Sequence, residues 1–270
     1  IKQSIDYAQL IQEASLPEKK ITDLAKDSFL FYLPRDIVSG DFYWWEEKND
    51  YTLFCVADST GHGIPGAFIS LIGTILSNEI FYSKNLIYPN QILDELNKTI
   101  QLTLEQHLPN PKIKDGMDLS FCSYNKSKQK IYFSGANNPL WIVRNTNTGI
   151  TSNGKKITPN YINDSSSSSL FEIKGDKQPI GLHAIKQHPF TLHEIDVNEG
   201  DEIYLFTDGY ADQFGGDRNK KFMSKRFKHL LTSNRGIPMD EMKKMIDINF
   251  ANWKGTNDQV DDICVVGIRI

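Results

Sequence analysis

The chain has 270 residues, 39% of them hydrophobic and 24% charged, and a formal net charge of −4. That length allows one large domain with a short extension, and the mildly acidic balance excludes nucleic acid as a main partner, because binding it needs a concentrated basic face. The three cysteines, Cys55, Cys122 and Cys264, lie far apart inside apolar runs without a Cys-x-x-Cys spacing. They read as reduced core residues rather than a disulfide or zinc set, which predicts a reducing, cytoplasmic setting. No apolar run approaches the roughly 18 residues of a membrane helix, and the start IKQSIDYAQLIQ lacks the pattern of a signal peptide. Beginning without Met inside a helical pattern, the chain reads as a piece of a longer protein, whose upstream part would carry any membrane tether.

In IKQSIDYAQLIQEASLP, Ile1, Ile5, Ala8 and Ile11 recur at three- and four-residue steps, which predicts a helix ended by Pro17. A helix this short is marginal alone, so it packs on the body of the domain or on the same helix of a second chain. Residues 1–27 are therefore read as a helical linker or switch segment and 28–270 as the main domain. SFLFYLP, DFYWWEE and YTLFCVAD read as three strands, with Trp44 and Trp45 facing opposite sides. Helices are predicted from 64 to about 83 and from 90 to about 107. Strands return in MDLSFCSYN, KIYFSGA, PLWIVRN, FEIKG, FTLHEID and EIYLFTDG, then helices near 222–231 and 239–253, then the strand ICVVGIRI. The stretch TNTGITSNGKKITPNYINDSSSSSL reads as a mobile surface loop, with a regulatory phosphorylation site as the second reading. Strands and helix pairs in this order do not alternate as in a Rossmann sheet; they suggest antiparallel sheets covered by helices.

Asp41 in VSGDFYW, Asp58 closing YTLFCVAD, Asp208 closing EIYLFTDG, and Asp261 with Asp262 before ICVVGIRI all lie at the edge of an apolar strand. Solvated strand ends are one reading. The other is convergence, and converging carboxylates repel one another unless a cation neutralises them. An all-oxygen set favours Mg2+ or Mn2+ over zinc, and one aspartate shared by two such ions makes a two-metal hydrolytic site with an activated water. Gly61, Gly63 and Gly66 let the chain turn sharply after Asp58 and bring backbone carbonyls near a ligand; a phosphate cradle is the weaker alternative, since the loop fits neither nucleotide-binding glycine pattern.

At PRDIVSGDFYWW, VADSTGHGIPGAFIS, SGANNPLW, KQPIGL, EIYLFTDGYAD and DQVDDICVVGIR, the sequence resembles the SpoIIE-like branch of the bacterial PPM metal-dependent serine/threonine protein phosphatases, over residues 30–270. IQEASLP also looks like the helical segment before this domain in sensor-linked members. The resemblance implies an α+β fold, an αββα four-layer sandwich of two antiparallel sheets flanked by helix pairs, with an N-terminal helical extension and two Mn2+ or Mg2+ ions at one end. By motif, Asp58 bridges both ions, Ser59 offers its backbone carbonyl, Asp208 and Asp261 hold the second ion, and Asp41 binds directly or through water. Asp262 adjoins Asp261 closely enough to leave a one-residue ambiguity, and Asp118 corresponds to a ligand of a weak third ion. Asn137 stands where the branch commonly has His in GHNP, a change expected to leave the metal set untouched.

Arg35 is read either as a guanidinium for the substrate phosphate or as a surface residue in a turn, and His62 either as the acid that protonates the leaving oxygen or as a cap on local backbone. The implied activity is hydrolysis of protein phosphoserine or phosphothreonine. Its implied partners are a phosphorylated protein such as a STAS-type anti-sigma-factor antagonist, an upstream sensor in the same chain, and a second copy paired through the first helix. A catalytically silent phosphoprotein-binding module and a nucleotide-binding kinase-like domain are the rival readings.

Overall fold

The computed structural model describes residues 2–270, so Ile1 of the first predicted apolar face lies outside the described residues. The elements are α1 (Lys2–Ser15), α2 (Ile21–Leu24), β1 (Ser28–Leu33), β2 (Asp41–Lys48), β3 (Tyr51–Ser59), α3 (Gly63–Lys84) and α4 (Pro89–Thr103). There follow β4 (Gly116–Asn125), β5 (Lys130–Ala136), β6 (Leu140–Asn145), β7 (Ile150–Ser152), β8 (Lys155–Ile157), β9 (Tyr161–Asn163), β10 (Ser168–Ile173), β11 (Ile180–Gly181), β12 (His193–Asp196) and β13 (Glu202–Phe206). The chain closes with α5 (Gly209–Asp212), β14 (Phe214–Gly215), β15 (Lys220–Lys221), α6 (Ser224–Ser233), α7 (Met239–Lys254) and β16 (Ile263–Arg269). One sheet has the order β2-β3-β4-β5-β12-β7-β8, with β11 paired to β4; the other has the order β1-β16-β13-β6-β10-β9.

The two-residue period of the strands divides their side chains among three apolar layers. The adjacent tryptophans illustrate it: Trp44, with Leu53 and Phe121, packs under Ile69 and Leu76 of α3 and Leu93 and Leu96 of α4. Trp45, one residue on, packs with Phe54, Val56 and Cys122 against Ile142, Leu205 and Val266 between the sheets. Phe31, Tyr204 and Val265 lie under Phe227 of α6 and Met242, Ile246 and Phe250 of α7. These layers make the expected αββα sandwich.

Near the N-terminus, α2 adds Ile21 to the layer between the sheets, and Trp45 Nε1 donates to the Lys19 carbonyl at 2.8 Å. Three expectations change. The 22-residue α3 is, by length and composition, apolar enough to cross a membrane, although no apolar run of that size was expected. Small polar residues such as Ser70, Thr74 and Ser77 punctuate it, and here they are buried while Ile69, Leu76 and Ile80 pack on the sheet. The helix expected to reach 107 ends at Thr103, where Leu104 caps it and Glu105 turns with φ 52°. The serine-rich stretch expected as a mobile loop instead forms β7, β8 and β9, and Ser168 and Ser169 are buried at the start of β10. Sheet pairing with Asn163 and Asn145 supplies the ladder that its composition does not advertise.

Candidate metal centre

Strand register places the carboxylates. β2 and β3 pair with Asp41 opposite Asp58, and β3 and β4 pair with Asp58 opposite Asp118. The three aspartates therefore form one row across neighbouring strands. Alternation puts them on the face that carries Trp45, Val56 and Cys122, at the mouth of the space between the sheets. The other sheet reaches the same end: β13 continues through Thr207 into Asp208, and Asp261 and Asp262 lead into its neighbour β16. Thr207 Oγ1 donates to Asp41 Oδ2 at 2.6 Å and accepts from the Cys264 N–H at 2.9 Å. It joins the two sheets beside the row. Sequence reasoning passed over this threonine, whose signal was a hydroxyl residue immediately before Asp208.

Proximity without a counter-charge disfavours ionisation. Burial, then Asp208, Asp261 and Asp118, pushes the Asp58 carboxyl up to about 8. Asp41 is raised well above the ordinary carboxylate range by full burial and then by Asp58, while the Thr207 hydroxyl acts the other way. Asp118 is raised by burial and eased by Asn137. Asp208 stands open to solvent as a residue, yet protein on one side of its carboxyl desolvates it, and with Asp212 and Asp261 pushes it up to about 6. Among the described residues, no three acidic, His or Cys side chains close into a ready ligand cluster. The aspartates share a rim and one another's field without forming a preformed cage, as mutual repulsion dictates. This all-oxygen set fits hard divalent cations. Beside it, Ser59 Oγ is buried without a hydrogen-bond partner.

Asp261 and Asp262 differ. Asp262 accepts the Arg35 N–H at 2.7 Å on Oδ1 and the Gly40 N–H at 2.7 Å on Oδ2, so both oxygens hold backbone next to Asp41. Asp261 is half-buried, and its Oδ1 accepts from the Asp262 N–H at 2.9 Å. Arg35 sits behind the rim, donating to the Val260 carbonyl at 3.1 Å and lying 3.3 Å from Asp36. His62 is exposed at the start of α3, with Nδ1 3.7 Å from Asp36 Oδ2 and no side-chain capping bond. The row of aspartates is thus brought together with Asp208 and Asp261, whereas Arg35 and His62 meet at Asp36. Asn137 corrects one expectation: its Nδ2 donates to Asp118 Oδ1 at 2.8 Å, so the residue in the histidine's place does touch the acidic set.

The loop after Asp58 is held by close backbone contact. Gly61 and Gly63 take φ of 81° and 65°, which favour glycine. A Cβ on Gly66 would stand 2.2 Å from the Gly61 carbonyl oxygen, and one on Gly40 2.5 Å from the same atom. From outside, α1 buries Gln12 against this arrangement. Gln12 Nε2 donates to the Ser39 carbonyl at 2.6 Å and to Ser70 Oγ at 2.7 Å, and its Oε1 accepts the Ser39 N–H at 3.0 Å. Ser39 Oγ in turn accepts the Asp41 N–H at 3.0 Å.

A family model, stage II sporulation protein E (SpoIIE), matches residues 48–270. Phosphoserine phosphatase RsbU of Bacillus subtilis (strain 168) is 20% identical over 213 residues, covering 78% of this chain and 54% of RsbU. The chain thus spans about half the length of that relative. The SiaA-PP2C domain of Pseudomonas aeruginosa superimposes with a TM-score of 0.83 at 26% identity, over 100% of this chain and 96% of that one. A structure of the PP2C phosphatase domain and a fragment of the regulatory domain of SpoIIE from Bacillus subtilis shares the fold, with a TM-score of 0.65 at 16% identity over 90% of this chain and 62% of that one. The chain belongs to the SpoIIE family of PPM-type serine/threonine phosphatases.

Proposed function

We propose that the chain hydrolyses protein phosphoserine or phosphothreonine with two divalent ions, Mn2+ or Mg2+, at the rim between the sheets. The observation that carries this reading is the cross-strand row Asp41, Asp58 and Asp118 facing Asp208 and Asp261, carboxylates that need a cation to stay charged together. Asp58, central in the row, is the residue to serve both ions. The Ser59 carbonyl would assist one ion, Asp208 and Asp261 would hold the second, Asp41 would bind directly or through water, and Asp118 would hold a weak third. When bound, such ions supply a water of lowered pKa and stabilise charge on the phosphoryl oxygens. Thr207 orients Asp41 through its Oδ2, and Asp262 holds the Arg35 and Gly40 backbone. In this reading Arg35 turns its guanidinium from Asp36 to the phosphate oxygens, and His62, beside the same Asp36, passes a proton to the leaving oxygen.

The same reading makes this the output part of a sensor-regulated cytoplasmic signalling protein, with residues 1–27 as its switch segment and 28–270 as the phosphatase domain. Its substrate is a phosphorylated protein such as a STAS-type anti-sigma-factor antagonist. The Gln12–Ser39–Asp41 chain of hydrogen bonds supports control through α1. Exposure of Tyr7 and Ile11 on a groove shared with Ile64 and Phe68 supports pairing of two copies there. The expected test result is hydrolysis of a phosphoserine peptide in Mn2+ or Mg2+, abolished by EDTA and reduced at least ~100-fold in Asp58→Asn. Phosphopeptide binding without turnover in either ion would replace the enzyme with a silent phosphoprotein-binding module.

A further inference from the structure

Residues 217–229, DRNKKFMSKRFKH, contain six Lys or Arg against one acid in a chain whose formal net charge is −4. They include β15 of the β14–β15 hairpin and the start of α6. Lys228 pairs with Glu172, and Lys221 pairs with Asp212 at 2.7 Å. Arg218, Lys220 and Lys225 are exposed and, among the described residues, have no ion-pair partner. The acids facing this stretch are Glu172 and Asp212, and Asp217 lies within it. The start of α6 borders a concave surface: Lys225, Arg226 and His229 line a groove of about 760 Å3 together with Tyr161, Phe222 and Trp253.

The hairpin is fixed relative to the acidic rim. It follows α5, which Asp208 opens, and the Met223 N–H returns to the Ala211 carbonyl at 2.7 Å. On its other side, the Gly216 N–H donates to the Trp253 carbonyl at 2.9 Å, and Asn257 Nδ2 donates to Asn219 Oδ1 at 3.0 Å. It is therefore pinned between the run that delivers Asp208 and the run that leads to Asp261.

We infer that the β14–β15 hairpin and the start of α6 dock an acidic protein segment, so that the adjoining site selects phosphoserine or phosphothreonine in an acidic context. The inference rests on the phosphatase reading and adds its substrate class. Charge complementarity commits the surface to an acidic partner. Exposed charge pairs are individually weak and screened by salt, so the selection acts on KM and association rather than on the chemical step.

The test uses the chain with Mn2+ and two phosphoserine peptides of equal length, one flanked by Asp and Glu and the other by Lys and Arg, together with p-nitrophenyl phosphate. A variant combining Arg218→Glu, Lys220→Glu and Lys225→Glu is measured beside it. The acidic peptide should show a KM about tenfold lower at low salt. That preference should shrink at high salt and vanish or invert in the variant, while kcat and p-nitrophenyl phosphate turnover stay unchanged. Equal KM values, or an undiminished preference in the variant, would overturn the docking surface and leave the phosphatase reading standing. Anisotropy of the same labelled peptides separates the two claims. An acidic preference in binding that the variant loses, with no turnover of any substrate, would support the docking surface and remove the phosphatase.

Discussion

Two adjacent aspartates at the head of β16 carry the same charge and have different work. Both add to the field that raises Asp58, but Asp262 is engaged on both oxygens by backbone N–H groups of Arg35 and Gly40, whereas half-buried Asp261 accepts one backbone N–H, from Asp262, on Oδ1 alone. Asp262→Asn should therefore destabilise the fold by about 1–3 kcal/mol, because an amide offers one acceptor where two donors wait. Asp261→Asn should leave the melting temperature within the range of a neutral surface change, about 0.5 kcal/mol, and cost phosphatase activity at least ~100-fold. Thermal melts and peptide turnover on both variants check this; the reverse pattern would exchange their roles. From sequence alone the pair was ambiguous, since adjacency is all a motif records. Which oxygen meets which N–H depends on a loop more than two hundred positions away in the chain.

At the scale of elements, α1 reaches the acidic rim through one amide. Gln12 satisfies both the carbonyl and the N–H of Ser39 and also meets Ser70 of α3. Gln12→Ala strands these buried groups, an expected loss of about 1–3 kcal/mol. It should also raise the Mn2+ concentration for half-maximal activity several-fold, since Ser39 holds the Asp41 backbone. An unchanged Mn2+ dependence in the stable fraction would disconnect α1 from the rim. Most elements were legible in the sequence: strands buried on both faces read as continuous apolar runs, and α4 and α7 show helical spacing. Register was not legible, because Asp41, Asp58 and Asp118 fall into one row only when three strands pair. Nor was the β14–β15 hairpin, two residues per strand, too short to show any period.

For the whole molecule, the rim sets a pH dependence. Asp58 moves from an ordinary 3.8 to about 8, and Asp208 from 3.8 to about 6. Between those limits the folded chain binds more protons than the unfolded chain, so stability falls as pH rises through the window. In EDTA the melting temperature should climb as pH is lowered from 8 toward 5, with most of the gain from Asp58. Mn2+ should flatten the slope, because a bound cation replaces the protons. Melts that instead improve with rising pH in EDTA would refute the shared field of these carboxylates.

The glycine contacts behind Asp58 have a bearing on how such a protein can change. Gly40 and Gly66 both close on the Gly61 carbonyl with no room for a Cβ, so the loop offers no side chain through which small substitutions could adjust it. Changes there break the site rather than grade it. Gradation is left to residues one contact out, Gln12, Asn137 and Thr207, where a single hydrogen bond can be strengthened, weakened or exchanged while the turn itself stays whole.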